Sequence, residues 1–231
     1  MRAMILAAGV GERMRPLTDH TPKPLLQVAG KPLIEHHITR LAQSGFTDLV
    51  INVSHLAQQI IDYCGQGERW GVRITFSREQ EPLETAGGIQ RALPLLGGQP
   101  FLVVNGDIWI DCDFTRLRVY RLAAEEVAHL VLVKSPPQHP LGDFLLDEAG
   151  WVRARPEGET GLTYAGVGIY TPGFFSGMAP GKLPLRPLLD EAIHQSLLTG
   201  EYHTGSWEDV GTPQRLLALD EAVSSLGLRL E

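Results

Sequence analysis

Residues 6–18 read LAAGVGERMRPLT, an apolar run that breaks into two glycines, two arginines and a proline. Glycine leaves backbone N–H groups unobstructed, and arginine presents a planar fork of donors. Gly9, Gly11, Arg13 and Arg15 together therefore suit the oxygens of a phosphate. Five residues beyond this stretch, Lys23 stands between Pro22 and Pro24, which fix the backbone around it. It is one of only four lysines in the chain. Read alone, Lys23 could equally be a surface lysine in a proline-rich turn. Two familiar phosphate loops do not fit. The dinucleotide fingerprint fails because Met14 stands where a third glycine belongs, and the Walker pattern fails because Gly30-Lys31 is followed by Pro32.

Such residues need a frame. Short apolar runs AMILA, DLVINV, VRITF and PFLVVN read as buried strands. Between the first two, Ile34, Ile38 and Leu41 fall on one helical stripe, with Pro32 near its start and Gly45 past its end. A second helix is expected after TAGG, with Ile89, Ala92, Leu93 and Leu96 on one face. This alternation implies right-handed βαβ units. Farther on, HLVLV and LTYAGVGIYT read as strands and GDFLLDEAGWVRA as a hairpin turning at 148–150. PLRPLLDEAIHQSLLTG reads as one helix with Leu185, Leu188, Leu189 and Ala192 inward, and a last helix opens at Thr212-Pro213. The fold class is α/β: a Rossmann-like, mostly parallel or mixed central sheet flanked by helices. Residues 1–231 are expected to form one domain, about 1–110 binding nucleotide and about 111–231 binding sugar. Ligands of such sheets lie outside the carboxyl ends of the strands, where the opening loop, TAGG and NGD all fall.

Composition narrows the partners. The chain has 231 residues, 43% hydrophobic and 20% charged, with a net charge of −7, which argues against nucleic acid or an anionic membrane. Its first 25 residues run against this trend, with four cations and two carboxylates, as suits a small anionic ligand. No apolar run approaches the roughly 18 residues of a membrane span, and Cys64 and Cys112 form no metal or disulfide pattern. A cytoplasmic protein is expected, with monomer and homodimer both open.

The G-x-G-x-R-M-x-P loop and the following K-P-L resemble the sugar nucleotidyltransferase (NDP-sugar pyrophosphorylase) family. So do LVVNGDIW, WEDVGTPQRL, EPLETAGGI and YAGVGIY, in family order over nearly the whole chain. The resemblance implies a GT-A-like fold without a C-terminal β-helix. It also implies attack of a sugar-1-phosphate oxygen on the α-phosphorus of a nucleoside triphosphate, expelling pyrophosphate. That nucleophile is already ionised, so the chemistry calls for positioning and cations, with no general base. Carried over residue by residue, Arg13 and Lys23 act on the triphosphate. Leu6, Ala7, Ala8, Gly9, Gly11, Glu12, Glu79, Glu84, Thr85 and Gly88 complete the nucleotide site. Asp107 and Asp209 hold Mg²⁺, and Asn105, Gly142, Asp143 and Tyr164 line the sugar side. The combination NVSHLAQQI, EPLETAGGI, HPLGDF and GSWEDVGT points to a uridylyl-transferring branch of bacterial cell-wall recycling using UTP, with mannose-1-phosphate guanylyltransferases close by.

Departures from the family pattern leave choices open. Glu79 replaces a base-reading glutamine, and its carboxylate could accept from uracil or from guanine. Glu84 replaces a glycine. Arg155-Pro156 could substitute for a Lys-Pro that grips the sugar phosphate, or be a surface loop. Should the sugar carry a carboxylate, Arg153, Arg155 and His139 are candidate cations. Asp111-Cys112-Asp113 has the D-x-D form of glycosyltransferase metal sites, but Asp113 reads better as a helix N-cap. A silent nucleotide-sugar sensor is the remaining alternative, against which stand Arg13, Lys23, Asp107 and Asp209.

Overall fold

A computed structural model of the protein describes residues 1–227. The elements follow in chain order: β1 (Ala3–Leu6), β2 (Gln27–Val28), β3 (Lys31–Pro32), α1 (Leu33–Gln43), β4 (Asp48–Val53), α2 (Ala57–Cys64), β5 (Arg73–Arg78) and α3 (Glu84–Leu96). Next come β6 (Phe101–Asn105), β7 (Ile108–Ile110), α4 (Phe114–Val119), β8 (Ala128–Lys134), β9 (Phe144–Leu146), β10 (Val152–Ala154) and β11 (Leu162–Tyr170). The chain closes with α5 (Arg186–His194), β12 (Leu198–His203), β13 (Trp207–Asp209) and α6 (Pro213–Gly227).

The main sheet is mixed. Strands β5, β4, β1 and β6 lie side by side and parallel, and β11 continues the sheet antiparallel to β6. Beyond it β8 pairs antiparallel with β11 and parallel with β12, while the β9–β10 hairpin joins the start of β11. Apolar side chains from each face form separate cores. One is built on Ile5, Ile51 and Val104 under α1, the other on Met4, Val50 and Val103 under α3 and α5. A third cluster, with Met14, Leu26, Trp109, Val210 and Leu219, seats α6 behind the opening loop.

The expected strands all form, and Ile34, Ile38 and Leu41 are fully buried on α1. Asp113 caps α4, its carboxylate accepting from the Thr115 N–H at 2.9 Å, and Thr212 caps α6, accepting from the Arg215 N–H at 3.3 Å. Two boundaries differ from expectation. Helix α3 starts at Glu84, so TAGG forms its first turns instead of preceding it. Helix α5 ends at His194, and the apolar stretch that follows is β12, paired with β8. Burial on both faces gives a short apolar run no period, so sequence alone could not separate strand from helix there.

Two three-residue strands matter most for the site. Strands β7 and β13 pair antiparallel with Ile108 opposite Asp209, and the Val210 N–H donates to the Asp107 carbonyl at 3.0 Å. This small ladder brings segments about a hundred positions apart into contact.

Candidate active site

Strand β1 ends at Leu6, and the chain must then turn. Gly11 adopts φ +70°, a left-handed conformation that side chains resist, and a Cβ there would meet Thr18 Cγ2 at 3.0 Å and Lys23 Cβ at 3.3 Å. The turn is tied by the Met14 N–H and the Thr18 hydroxyl, both donating to the Gly11 carbonyl. Arg13 emerges on the inner side of this turn, beside Lys23, Asp107 and Gly211. Arg15 instead pairs with Asp19 on the exposed surface, 3.3 Å away, so only one of the two forks faces the site.

Three hollows open along the carboxyl ends of β1 and β6 and the amino end of the antiparallel β11, and Asp107 borders all of them. The first runs from Leu6, Ala7, Ala8, Gly9 and Lys23 to Glu79, Glu84 and Thr85, with Asn52 at its floor. The second contains Arg13 and Glu12. The third lies on the other side of Asp107, against Asn105, Tyr164, His139, Trp207 and Asp209.

The floor of the first hollow is a closed hydrogen-bond chain. Asn52 accepts from the Ala7 N–H at 2.8 Å and donates to Glu79 Oε1 at 2.7 Å, while Glu79 Oε2 accepts from the Leu83 N–H at 3.0 Å. Burial raises the Glu79 carboxyl above its ordinary value, opposed by the bonds from Asn52 and Leu83. Gly88 does not line the hollow. It lets α3 pack onto this chain, since a Cβ there would lie 2.8 Å from Asn52 Nδ2 and 2.9 Å from Glu79 Oε1.

At the centre, Lys23 Nζ donates to Asp107 Oδ2 at 2.6 Å with its side chain only 8% exposed. Arg215 Nη1 donates to Asp209 Oδ2 at 2.8 Å. Below them His37 is buried and donates its Nε2–H to the Ile108 carbonyl at 2.9 Å, and burial lowers its pKa to about 4. The neutral imidazole thus holds the strand that carries Asp107.

In the third hollow, β11 bulges between Tyr164 and Val167, and the Ala165 carbonyl there accepts from the Trp207 indole at 2.8 Å. Among the described residues, Asn105 Oδ1 is the one buried side-chain polar atom without a partner. Asp143 stands behind the hollow wall, with Oδ2 accepting from the Tyr164 N–H at 2.9 Å and Oδ1 from His139 Nε2 at 3.1 Å. Gly142 also lies outside, where its carbonyl accepts from Arg155 Nε at 3.2 Å. Arg155 is further engaged by the carbonyls of Pro156 and Glu159, and Arg153 by Asp147 and Ser196. Of the three candidate cations, only His139 borders the hollow. Asp111 accepts from His203, not from a partner in a D-x-D cluster.

Asn52, His37 and Arg215 were missed in the sequence. A lone asparagine inside DLVINV is the only signal any of them offered: a polar residue in a fully apolar strand needs a reason.

Cations and carboxylates gathered at the carboxyl edge of parallel strands, within a mixed sheet, suit chemistry on phosphates. Residues 2–225 match the Nucleotidyl transferase family, and the chain belongs to it. It is 55% identical to the N-acetylmuramate alpha-1-phosphate uridylyltransferase of Neisseria meningitidis, over 94% of this chain and 95% of that protein. A namesake from Caulobacter vibrioides is 37% identical over the same shares. The mannose-1-phosphate guanylyltransferase catalytic subunit beta of Drosophila melanogaster is 31% identical, over 94% of this chain and 61% of the other. In three dimensions a Bacillus anthracis protein crystallised with sucrose superposes with a TM-score of 0.87 at 23% identity, covering 97% and 95% of the two chains. HddC of Yersinia pseudotuberculosis with GMP-PN superposes with 0.79 at 21% identity, covering 96% and 99%. These superpositions bear out the GT-A-like α/β fold.

Proposed function

We propose that the protein joins UTP and N-acetylmuramate α-1-phosphate, giving UDP-N-acetylmuramate and pyrophosphate. The reading is carried by the three hollows that meet at Asp107, in a chain so similar to uridylyltransferases of that name. A triphosphate lying from the first hollow into the second would put its α-phosphorus beside Asp107, and a sugar phosphate entering from the third would approach from the opposite side. One phosphate oxygen attacks, the α–β bridging bond breaks, and its electron pair leaves with pyrophosphate. No proton need move.

Each side chain has a physical task in this scheme. Arg13 and Lys23 neutralise the departing pyrophosphate. The backbone from Leu6 to Gly11 lies against the phosphates, with Glu12 at its edge and Thr85 and Glu84 toward the base. Glu79, oriented by Asn52, offers only acceptors and so selects a base with an N–H on its pairing edge. Uracil N3–H and guanine N1–H meet that condition with a ring N–H, whereas the ring N3 of cytosine is an acceptor and only its exocyclic amine can donate. Asn105 supplies an unpaired acceptor to a sugar hydroxyl or amide, and Tyr164, positioned by Asp143 and the turn at Gly142, forms the floor. His139, held by Asp143, faces the lactyl carboxylate. Residues to about 110 serve the nucleotide and the rest mainly the sugar, within one domain.

Mg²⁺ suits the centre. Asp209 on β13 and Asp107 just before its partner strand β7 offer hard oxygen donors, and among the described residues no group of three potential ligands forms. A cation with few protein ligands and the rest from phosphate and water is the Mg²⁺ pattern. When bound it would neutralise the two phosphates as they approach. A cytoplasmic setting, where UTP is made, agrees with two free thiols. Among the described residues no helix is long and apolar enough to cross a membrane.

The test is pyrophosphate release across UTP, GTP, dTTP and CTP with N-acetylmuramate, N-acetylglucosamine and mannose 1-phosphates. Release with UTP and the muramate, abolished by EDTA, is expected. Preference for GTP with mannose 1-phosphate would replace this reading by the guanylyltransferase one.

A further inference from the structure

Arg215 occupies an awkward place for a cation. It lies in the first turn of α6, where the helix dipole is positive and acidic residues are preferred. Its side chain is nonetheless only 18% exposed and aims away from its own helix, onto Asp209 Oδ2. The space it fills is left by Gly211. A Cβ there would collide with Arg215 Nη2 and would stand 3.1 Å from both Arg13 Nη2 and Asp209 Oδ2. Two guanidinium groups and one carboxylate therefore crowd around Gly211, and of the two cations it is Arg215 that pairs with Asp209. Across the β7–β13 ladder the pattern repeats, with Lys23 on Asp107 at 2.6 Å.

Each aspartate at the centre is thus matched by a cation of the chain itself. A divalent ion needs those carboxylate oxygens, and a triphosphate needs those cations. Both demands are met together if the pairs exchange partners. We propose that Arg215 is a counter-ion that occupies Asp209 in the empty protein and passes to the triphosphate when metal and nucleotide arrive together. The proposal rests on the reading of Asp107 and Asp209 as metal ligands. It makes Arg215 a competitor of free metal and an ally of the metal–nucleotide complex. A purely structural ion pair would also compete with free metal, but it would not strengthen the metal–nucleotide complex.

Mn²⁺ is the probe, its free concentration read by electron spin resonance on nucleotide-free protein. Binding of Mn²⁺ with UTP is followed separately by calorimetry, without sugar phosphate. Arg215→Gln should tighten Mn²⁺ binding by the bare protein, about tenfold for loss of one well-placed opposing charge, while weakening the Mn²⁺–UTP complex by a similar factor. Arg215→Lys, which keeps the charge and guards against a folding artefact, should move both affinities less. Unchanged or weaker Mn²⁺ binding by bare Arg215→Gln protein overturns the proposal, and so does unchanged or tighter Mn²⁺–UTP binding by the same variant. Asp209→Asn in the same background separates the two claims. It should abolish the gain, and Mn²⁺ binding indifferent to it would mean that the metal reading itself is wrong.

Discussion

The two ends of the cleft are built differently. The end assigned to the nucleotide is finished before any ligand arrives. Asn52, Glu79 and the N–H groups of Ala7 and Leu83 satisfy one another, and α3 is packed onto them through Gly88. The sugar end is open-handed. Asn105 Oδ1 has no partner, β11 is bulged, and His139 is 47% exposed. Parallel strands with helices on both faces leave polar groups nowhere to go but to each other, whereas the antiparallel half has an edge and loops. Rigidity at one end and unmet hydrogen-bonding capacity at the other thus set the two apart.

This contrast can be broken at measurable points. The centre belongs to neither end, and changes there should cost most. Lys23→Ala should lower kcat by about 10²–10³-fold with the thermal midpoint little changed, as removal of a donor at developing charge does. A wild-type kcat would return Lys23 to the status of a structural ion-pair partner.

His37 supplies the next largest effect, in stability. Its folded pKa of about 4 lies below the ordinary 6.5, so the unfolded chain binds a proton more readily between those values. Stability contributed by the neutral ring is complete above pH 6.5 and is lost as pH falls toward 4, on the order of 3 kcal/mol in all. Denaturant unfolding at a series of pH values should show this slope, and His37→Gln should flatten it.

The two asparagines then test the contrast directly. Asn52→Leu leaves the Ala7 N–H unpaired and removes a donor from Glu79, so it should destabilise the fold by about 1–3 kcal/mol and weaken UTP binding. Asn105→Ala removes an atom that bonds nothing. It should cost under about 1 kcal/mol of stability yet raise the KM for the sugar phosphate. Equal losses of stability would mean that the two ends do not differ in this way.

The smallest effect is expected at His139. His139→Ala should raise the KM for N-acetylmuramate α-1-phosphate by at most about tenfold, because a polar contact open to solvent is screened. Turnover of N-acetylglucosamine 1-phosphate should not change. An equal rise for both sugars would remove His139 from recognition of the carboxylate.

Much of this was legible in the sequence, unevenly. Gly11, Arg13 and Lys23 lie within thirteen residues of one another, and local spacing displays them together. Strands β1, β4, β5 and β6 announce themselves as apolar runs. Strand β12 did not, because LLTG continues the apolar content of α5 without changing character. Strands β7 and β13 are too short for any period to be read, so the contact of Asp107 with the segment at Asp209 could only be borrowed from a resemblance. Arg215 looked like an ordinary charge on a terminal helix. Its meaning depends on the absence of a side chain at Gly211, four residues earlier, and on a partner across the turn.

The union of Asp107 with Asp209 also has a consequence for biogenesis. A ribosome delivers the first carboxylate about a hundred residues before the second, and α6 later still. That helix docks on the opening segment, where the Ala29 N–H donates to Asp220 Oδ1 at 2.6 Å and Leu219 joins Met14, Leu26 and Val28. A nascent chain stalled before Trp207 would own the phosphate loop and the nucleotide floor but no complete centre. Its pair of central carboxylates would be incomplete, so synthesis must pass Asp209 and α6 before the centre can form.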